Sequence, residues 1–155
     1  MRLISKTFLK LESIHITMPA KLALSSPILV NSNTTPLIFN NVSNGYLSGS
    51  MMHLNGTGQL VIDAAKLYFV NISVSIEQNG SSVVNTAIIN VLQNGNIVLA
   101  YTRSYNENDE NTLNAVAHLN FNVGDVITAN INFSTLSPNK IIVNSSHVST
   151  FLNVV

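Results

Sequence analysis

A chain of 155 residues without cysteine is long enough to bury one domain's core, and it must do so without a disulfide or a thiolate-held metal. Charged residues make up 9% and sum to zero, against about 25% in an ordinary soluble domain, which excludes the basic stripe that nucleic-acid binding demands. Asparagine, at roughly one residue in seven, carries much of the solvation together with serine and threonine; an AT-rich genome is one source of such a bias.

The chain opens on MRLISKTFLKLESIHI, where positive charge is concentrated. Arg2, Lys6, Lys10 and Lys21 fall in the first 21 residues, and only Lys66, Arg103 and Lys140 follow. Leu3, Ile4, Phe8 and Leu11 share a stripe at helical spacing, the one such stretch in the sequence. Ser5, Lys6, Thr7, Lys10 and Glu12 interrupt any export-signal core, and no apolar run reaches the roughly 20 residues of a membrane helix. Residues 1–19 are therefore read as an N-terminal arm on a domain of residues 20–155. The expectation is a chain neither exported nor inserted in a membrane.

Strand signals dominate from there. Ile14, Ile16 and Met18 alternate with polar residues. TPLIFNNV (35–42) and GQLVID (58–63) are short apolar runs bounded by turn residues. KLYFVNISVSI (66–76) places Tyr68, Val70, Ile72, Val74 and Ile76 on one face. Its other face passes from Leu67 and Phe69 to Asn71, Ser73 and Ser75, which predicts burial on both sides at the aromatic end and solvent at the serine end. TAIINVLQNGNIVLAY (86–101) reads as a hairpin, because Asn94 and Gly95 can both take the positive φ of a type I′ turn. In HLNFNVGDVITANINF (118–133) alternation runs up to Gly124-Asp125 and resumes after it, which predicts a second hairpin. KIIVN (140–144) and STFLNVV (149–155) close the chain. Turn signals every 8 to 12 residues predict an all-β antiparallel sandwich or barrel.

Chemistry is sparse. His15, His53, His118 and His147 do not pair at metal-ligand spacing, and His118 lies opposite the apolar face of its strand, as a solvated histidine does. No serine sits in a recognisable nucleophile turn, so an enzyme is not expected, and no cofactor is implied. The run Asn106 to Asn111 brings Asp109 and Glu110 together; they are calcium candidates only, since the glycine and spacing of a dedicated calcium loop are missing and a solvated loop is the better reading. Seven glycosylation sequons occur, but Asn71 and Asn132 fall within predicted strands, and the set is read as compositional.

The order of these motifs resembles the jelly-roll superfamily of tumour necrosis factor and the globular head of the complement recognition subunit. AKLALSS (20–26) is similar to that family's first strand and TPLIFNNV to its short second one. GQLVIDAAKLYFVNISV resembles the short strand that turns into an aromatic-rich strand, INVLQNGNIVL the central hairpin, NAVAHLNFNVGDVITANI the Gly-Asp turn, and SSHVSTFLNVV the closing strand. Where the family usually has glycine before the aromatic pair, this chain has Lys66 after Ala64-Ala65. The resemblance implies a two-sheet jelly roll assembled as a tight homotrimer, with Tyr68, Phe69, Tyr101 and Phe151 as interface or core aromatics. An uncharged surface suits such assembly because it costs less to desolvate. The resulting expectation is a non-enzymatic virion protein: a capsid spike, head fibre or decoration module, of a bacteriophage for instance. Arg2, Lys6, Phe8 and Lys10 of the arm would attach it to a capsid or other virion protein, and its loops would meet a host-surface glycan or protein. The alternatives are a secreted trimeric ligand or adhesin head, and a carbohydrate-binding module; the last is weakened by the absence of tryptophan.

Overall fold

Period-two alternation becomes thirteen strands in a computed structural model, which describes residues 20–30, 32–42, 47, 51–78, 86–104, 111–134, 141–145 and 150–155. The arm, the stripe at residues 3–11 and the acidic pair Asp109 and Glu110 lie outside the described residues. Among those described, every regular element is a strand: β1 (Ala20–Leu24), β2 (Ile28–Leu29), β3 (Thr34–Leu37), β4 (Phe39–Asn41), β5 (Met52–Leu54), β6 (Leu60–Ile62), β7 (Lys66–Gln78), β8 (Thr86–Gln93), β9 (Asn96–Ser104), β10 (Asn111–Phe121), β11 (Val126–Phe133), β12 (Ile141–Val143) and β13 (Phe151–Val154).

They form two antiparallel sheets packed face to face. In the first sheet β7 is central: one edge pairs with β10 from Lys66 to Ile76, and the other with β13 at Val70 to Ser73 and β12 at Ile76 to Gln78. β13 continues to β1 and β4, and β12 to β2. In the second sheet β11 is central. Its one edge pairs with β8, which pairs with β9; its other edge pairs with β6 and then with β3. β5 flanks β6. Between the sheets lie Leu22, Val70, Ile72, Val74, Leu152 and Val154 from the first and Ile62, Ile89, Val91, Ile127 and Ile131 from the second, all but completely buried. Each such side chain stabilises the fold by about 1.5–3 kcal/mol.

Asn94 and Gly95 take φ of +52° and +82°, as the predicted hairpin between β8 and β9 requires. The Gly124-Asp125 turn is different. β10 and β11 do not pair with one another; β10 belongs to the first sheet and β11 to the second. The alternation was real, and Leu113, Ala115, Phe121, Ile127, Ala129, Ile131 and Phe133 do face one core, but the turn carries the chain from sheet to sheet. Gly124, at φ +89°, and Asp125 are fixed by backbone bonds to β6: Gly124 N–H donates to Ile62 O at 2.8 Å and Ile62 N–H to Asp125 O at 2.9 Å. TPLIFNNV divides likewise. It forms β3 in the second sheet and β4 in the first, with Ile38 crossing between them. The two-residue β2 and the three-residue β5 gave too short a pattern to be predicted.

The Asp125 side chain ties this end of the sandwich together. It accepts hydrogen bonds from Asn122 N–H (2.7 Å), from Asn94 Nδ2 (2.7 Å) and from Gln93 Nε2. Asn94 in turn accepts from Val126 N–H at 2.8 Å. The Asn122 N–H bond does most to hold this carboxyl below its ordinary range; burial opposes the shift, and the two side-chain amides add to it. A folded-state value depressed in this way adds stability that is complete above the unfolded value of about 3.9 and disappears as pH falls through the folded one. Asp125→Ala is expected to cost about 1–3 kcal/mol in urea unfolding at neutral pH, and the loss should shrink as both chains are acidified below about pH 4. A constant difference down to acid pH would contradict this role.

Candidate functional site

The outward face of the first sheet departs most from what a solvated surface requires. Register places its residues in rows. Asn120 of β10 lies beside Leu67 of β7; His118 lies beside Phe69; Val116 beside Asn71, then Asn153 of β13 and Lys21 of β1; Asn114 beside Ser73, then Phe151 and Ala23. Leu67 and Val116 are each 55% exposed, and Phe69 and Phe151 are half-buried. Lys21 on β1 and Glu77 at the far end of β7 are the charged residues on this face among those described.

β7 carries the expected gradient in reverse. Its serine end is buried, with Ser73 and Ser75 at 4% and 5% exposure, while Leu67 at the aromatic end faces outward uncovered. The closing segments pair with this end of the strand: Thr150 Oγ1 accepts from Ser75 N–H at 3.0 Å, Asn144 N–H donates to Ser75 O at 3.0 Å, and Phe151 lies beside Ser73.

The four predicted aromatics separate. Tyr68 is core: it is fully buried, its ring lies 5.6 Å from that of Phe121, and its hydroxyl donates to Ala64 O at 2.6 Å. Burial, and then the negative charge of Asp63, raise its pKa. Lys66 Nζ sits 4.8 Å above the same ring, so the departure from glycine at that position is used for packing. Phe69 and Phe151 lie on the outward face. Phe69 stacks at 5.3 Å on His118, and Phe151 lies under Lys21 Nζ at 4.7 Å. Tyr101 is at the edge strand β9, on the side of Ile89 and 40% exposed.

Two asparagines mark the centre of the face. Asn71 and Asn153 are register partners, and the Oδ1 atom of each is buried without a hydrogen-bond donor. The sequence places Asn71 on the outer face of its strand but carries no sign of its pairing with Asn153. On the outward face of the second sheet Asn90 Nδ2 donates to Asn130 Oδ1 at 2.8 Å, although Asn132 Oδ1 there is also unpartnered. A buried carbonyl oxygen without a donor costs about 1–3 kcal/mol, so these two asparagines are a local cost to the fold at the centre of the face.

Other chemistry is limited. His53 Nδ1 lies 2.7 Å from Asp63 Oδ2 on the outer side of the second sheet, with both side chains substantially exposed. Among the described residues no three His, Asp or Glu side chains gather where a metal could bind, and no helix is long and apolar enough to cross a membrane.

No protein-family model matches the sequence, and none of the curated proteins matches it. Solved structures do match. Eiger, a tumour necrosis factor from S. frugiperda, superposes with a TM-score of 0.64 at 13% identity, over 88% of this chain and 90% of that one. Murine APRIL at pH 5.0 superposes with a TM-score of 0.66 at 17% identity, over 88% and 96%. The same murine protein at pH 8.0 gives 0.65 at 17% identity, again over 88% and 96%. The fold is the jelly roll of these ligands.

The His53–Asp63 contact has the geometry of an exposed ion pair, which contributes at most about 1 kcal/mol. Asp63→Asn should accordingly change the unfolding free energy by less than about 1 kcal/mol, whereas Tyr68→Ala should cost about 3–5 kcal/mol because it empties the core. Equal effects of the two changes in chemical denaturation would contradict this division.

Proposed function

We propose that this chain is the head of a non-enzymatic homotrimer that acts by binding. The observation that carries the reading is the outward face of the first sheet: Leu67, Phe69, Val116 and Phe151 lie about Asn71 and Asn153, and Lys21, over Phe151, and Glu77, at the far end of β7, are its charged residues among those described. Such a face is expensive to leave in water and inexpensive to bury. The tumour necrosis factor fold supports a ring of three.

For the place of this head, the reading from sequence is a virion, with the arm at residues 1–19 holding the trimer to a capsid or another virion protein through Arg2, Lys6, Phe8 and Lys10, and the loops meeting a host-surface glycan or protein. Its support is the low charge, the missing cysteine and the basic arm. The second reading, a secreted ligand, is favoured by the likeness to Eiger and APRIL. An antibody against the head separates them in the source organism: label on particles supports the virion, and label in particle-free medium supports the ligand.

Light scattering of the purified chain should give three copies, and Val116→Asp combined with Phe69→Asp should give a folded monomer. A wild-type chain that stays monomeric at tens of micromolar, or a double variant that still forms trimers, would overturn the proposal.

A further inference from the structure

A second site lies away from that face, on the flank opposite β9 and β10. β3 and β6 abut end to end along one edge of β11: Leu37 pairs with Ala129, and Leu60 with Ile127. Beyond Leu37 the chain leaves the second sheet through Ile38 to enter β4 in the first, and before Leu60 it comes from the loop at Thr57 to Gln59. The two strand ends diverge, and a cleft of about 270 Å³ opens between them, reaching down to Phe39 and Leu152 of the first sheet.

Its chemistry is specific. Leu37, Phe39, Leu60, Ile127, Ala129 and Leu152 form its nearly inaccessible floor, exposed Ile38 stands at its mouth, and none of the residues that line it ionises. Gly58 borders the mouth at φ +74°, where a Cβ would stand 3.1 Å from Asn40 Cβ; any other residue would both strain the loop and push against β4. Thr57 and Gln59 are bonded to each other and to Asn55. Thr128, half-buried between the two strand ends, also lines the cleft, and no hydrogen bond of its hydroxyl is present among the described residues. An engineered apolar cavity of about 150 Å³ stays dry and holds benzene, so a space this size accommodates a larger body, on the order of ten non-hydrogen atoms.

From this geometry we infer that the cleft is a binding site for a small uncharged molecule with an apolar ring or short chain and a single polar end. The apolar body enters between Leu37 and Leu60, and the polar end bonds the Thr128 hydroxyl. Charged ligands are refused because nothing in the lining compensates the lost hydration. The site does not involve the outward face of the first sheet, so it stands whether or not the chain assembles.

The test is titration of the ¹⁵N-labelled full chain with p-cresol, and with toluene in parallel. Saturable shifts should map to residues 37–39, 58–60 and 127–129, with a dissociation constant on the order of 1 mM. Thr128→Val should weaken p-cresol about three- to tenfold and leave toluene unchanged. Ala129→Leu, which fills the cleft, should abolish both while the remaining resonances keep their positions. Shifts that never saturate, shifts that map to the face of Leu67 and Val116, equal loss of p-cresol and toluene in Thr128→Val, or undiminished binding by folded Ala129→Leu would each overturn the inference.

Discussion

The structure depends on one long strand that must satisfy two environments at once. β7 runs through the first sheet, hydrogen-bonded along both edges, so its backbone is committed before its side chains are considered. Its inward residues, Tyr68 to Ile76 in steps of two, have no choice but the core. Its outward residues follow from that register, because a slip by one position would exchange the two faces completely. Leu67 and Phe69 are therefore turned outward by the same constraint that buries Tyr68 and Val70. The Ser73–Ser75 end is buried within the single chain, whereas Leu67 at the other end is left exposed.

This explains what the sequence could and could not reveal. Alternation identifies which side chains share a face, so the inward sets of β7 and β11 are legible, and that of β10 up to Phe121, beyond which Val123 is exposed. Alternation carries no information about the partner strand. The segment around Gly124-Asp125 accordingly shows the alternation of a hairpin, although Gly124 and Asp125 exchange backbone bonds with Ile62, far back in the chain. The same limit hid the corner at Ile38, where a single apolar run serves two sheets. The gradient along β7 runs opposite to the one its polarity predicts, because polarity does not measure exposure. Ser73 and Ser75 are small enough to be buried with little apolar surface of their own, whereas Leu67 is 55% exposed. Asn71 and Asn153 were invisible as a pair, since only the register of β7 with β13 brings them side by side.

The unusual composition takes a physical meaning from this arrangement. A surface solvated by asparagine, serine and threonine tolerates water and also gives it up at modest cost, whereas lysine and glutamate do not. The face of the first sheet uses that property around its exposed aliphatic groups, and the second sheet shows the alternative, with Asn90 and Asn130 bonded to each other. The flank cleft is a third outcome of the same fold. It exists because two strands end against one neighbour, and its apolar walls are core residues seen through the gap.

The central claim is that identical copies cover the outward face of β7, β10 and β13. Hydroxyl-radical labelling of the native protein, read residue by residue, tests it most directly, because Ile97 and Val123, 59% and 66% exposed elsewhere on the molecule, serve as internal references. The account predicts that Leu67, Phe69, Val116 and Phe151 are protected relative to what their exposure in a single subunit implies, and that dilution restores their labelling while the references stay constant. Labelling of Leu67 and Val116 as strong as that of Ile97 and Val123 at every concentration would contradict it.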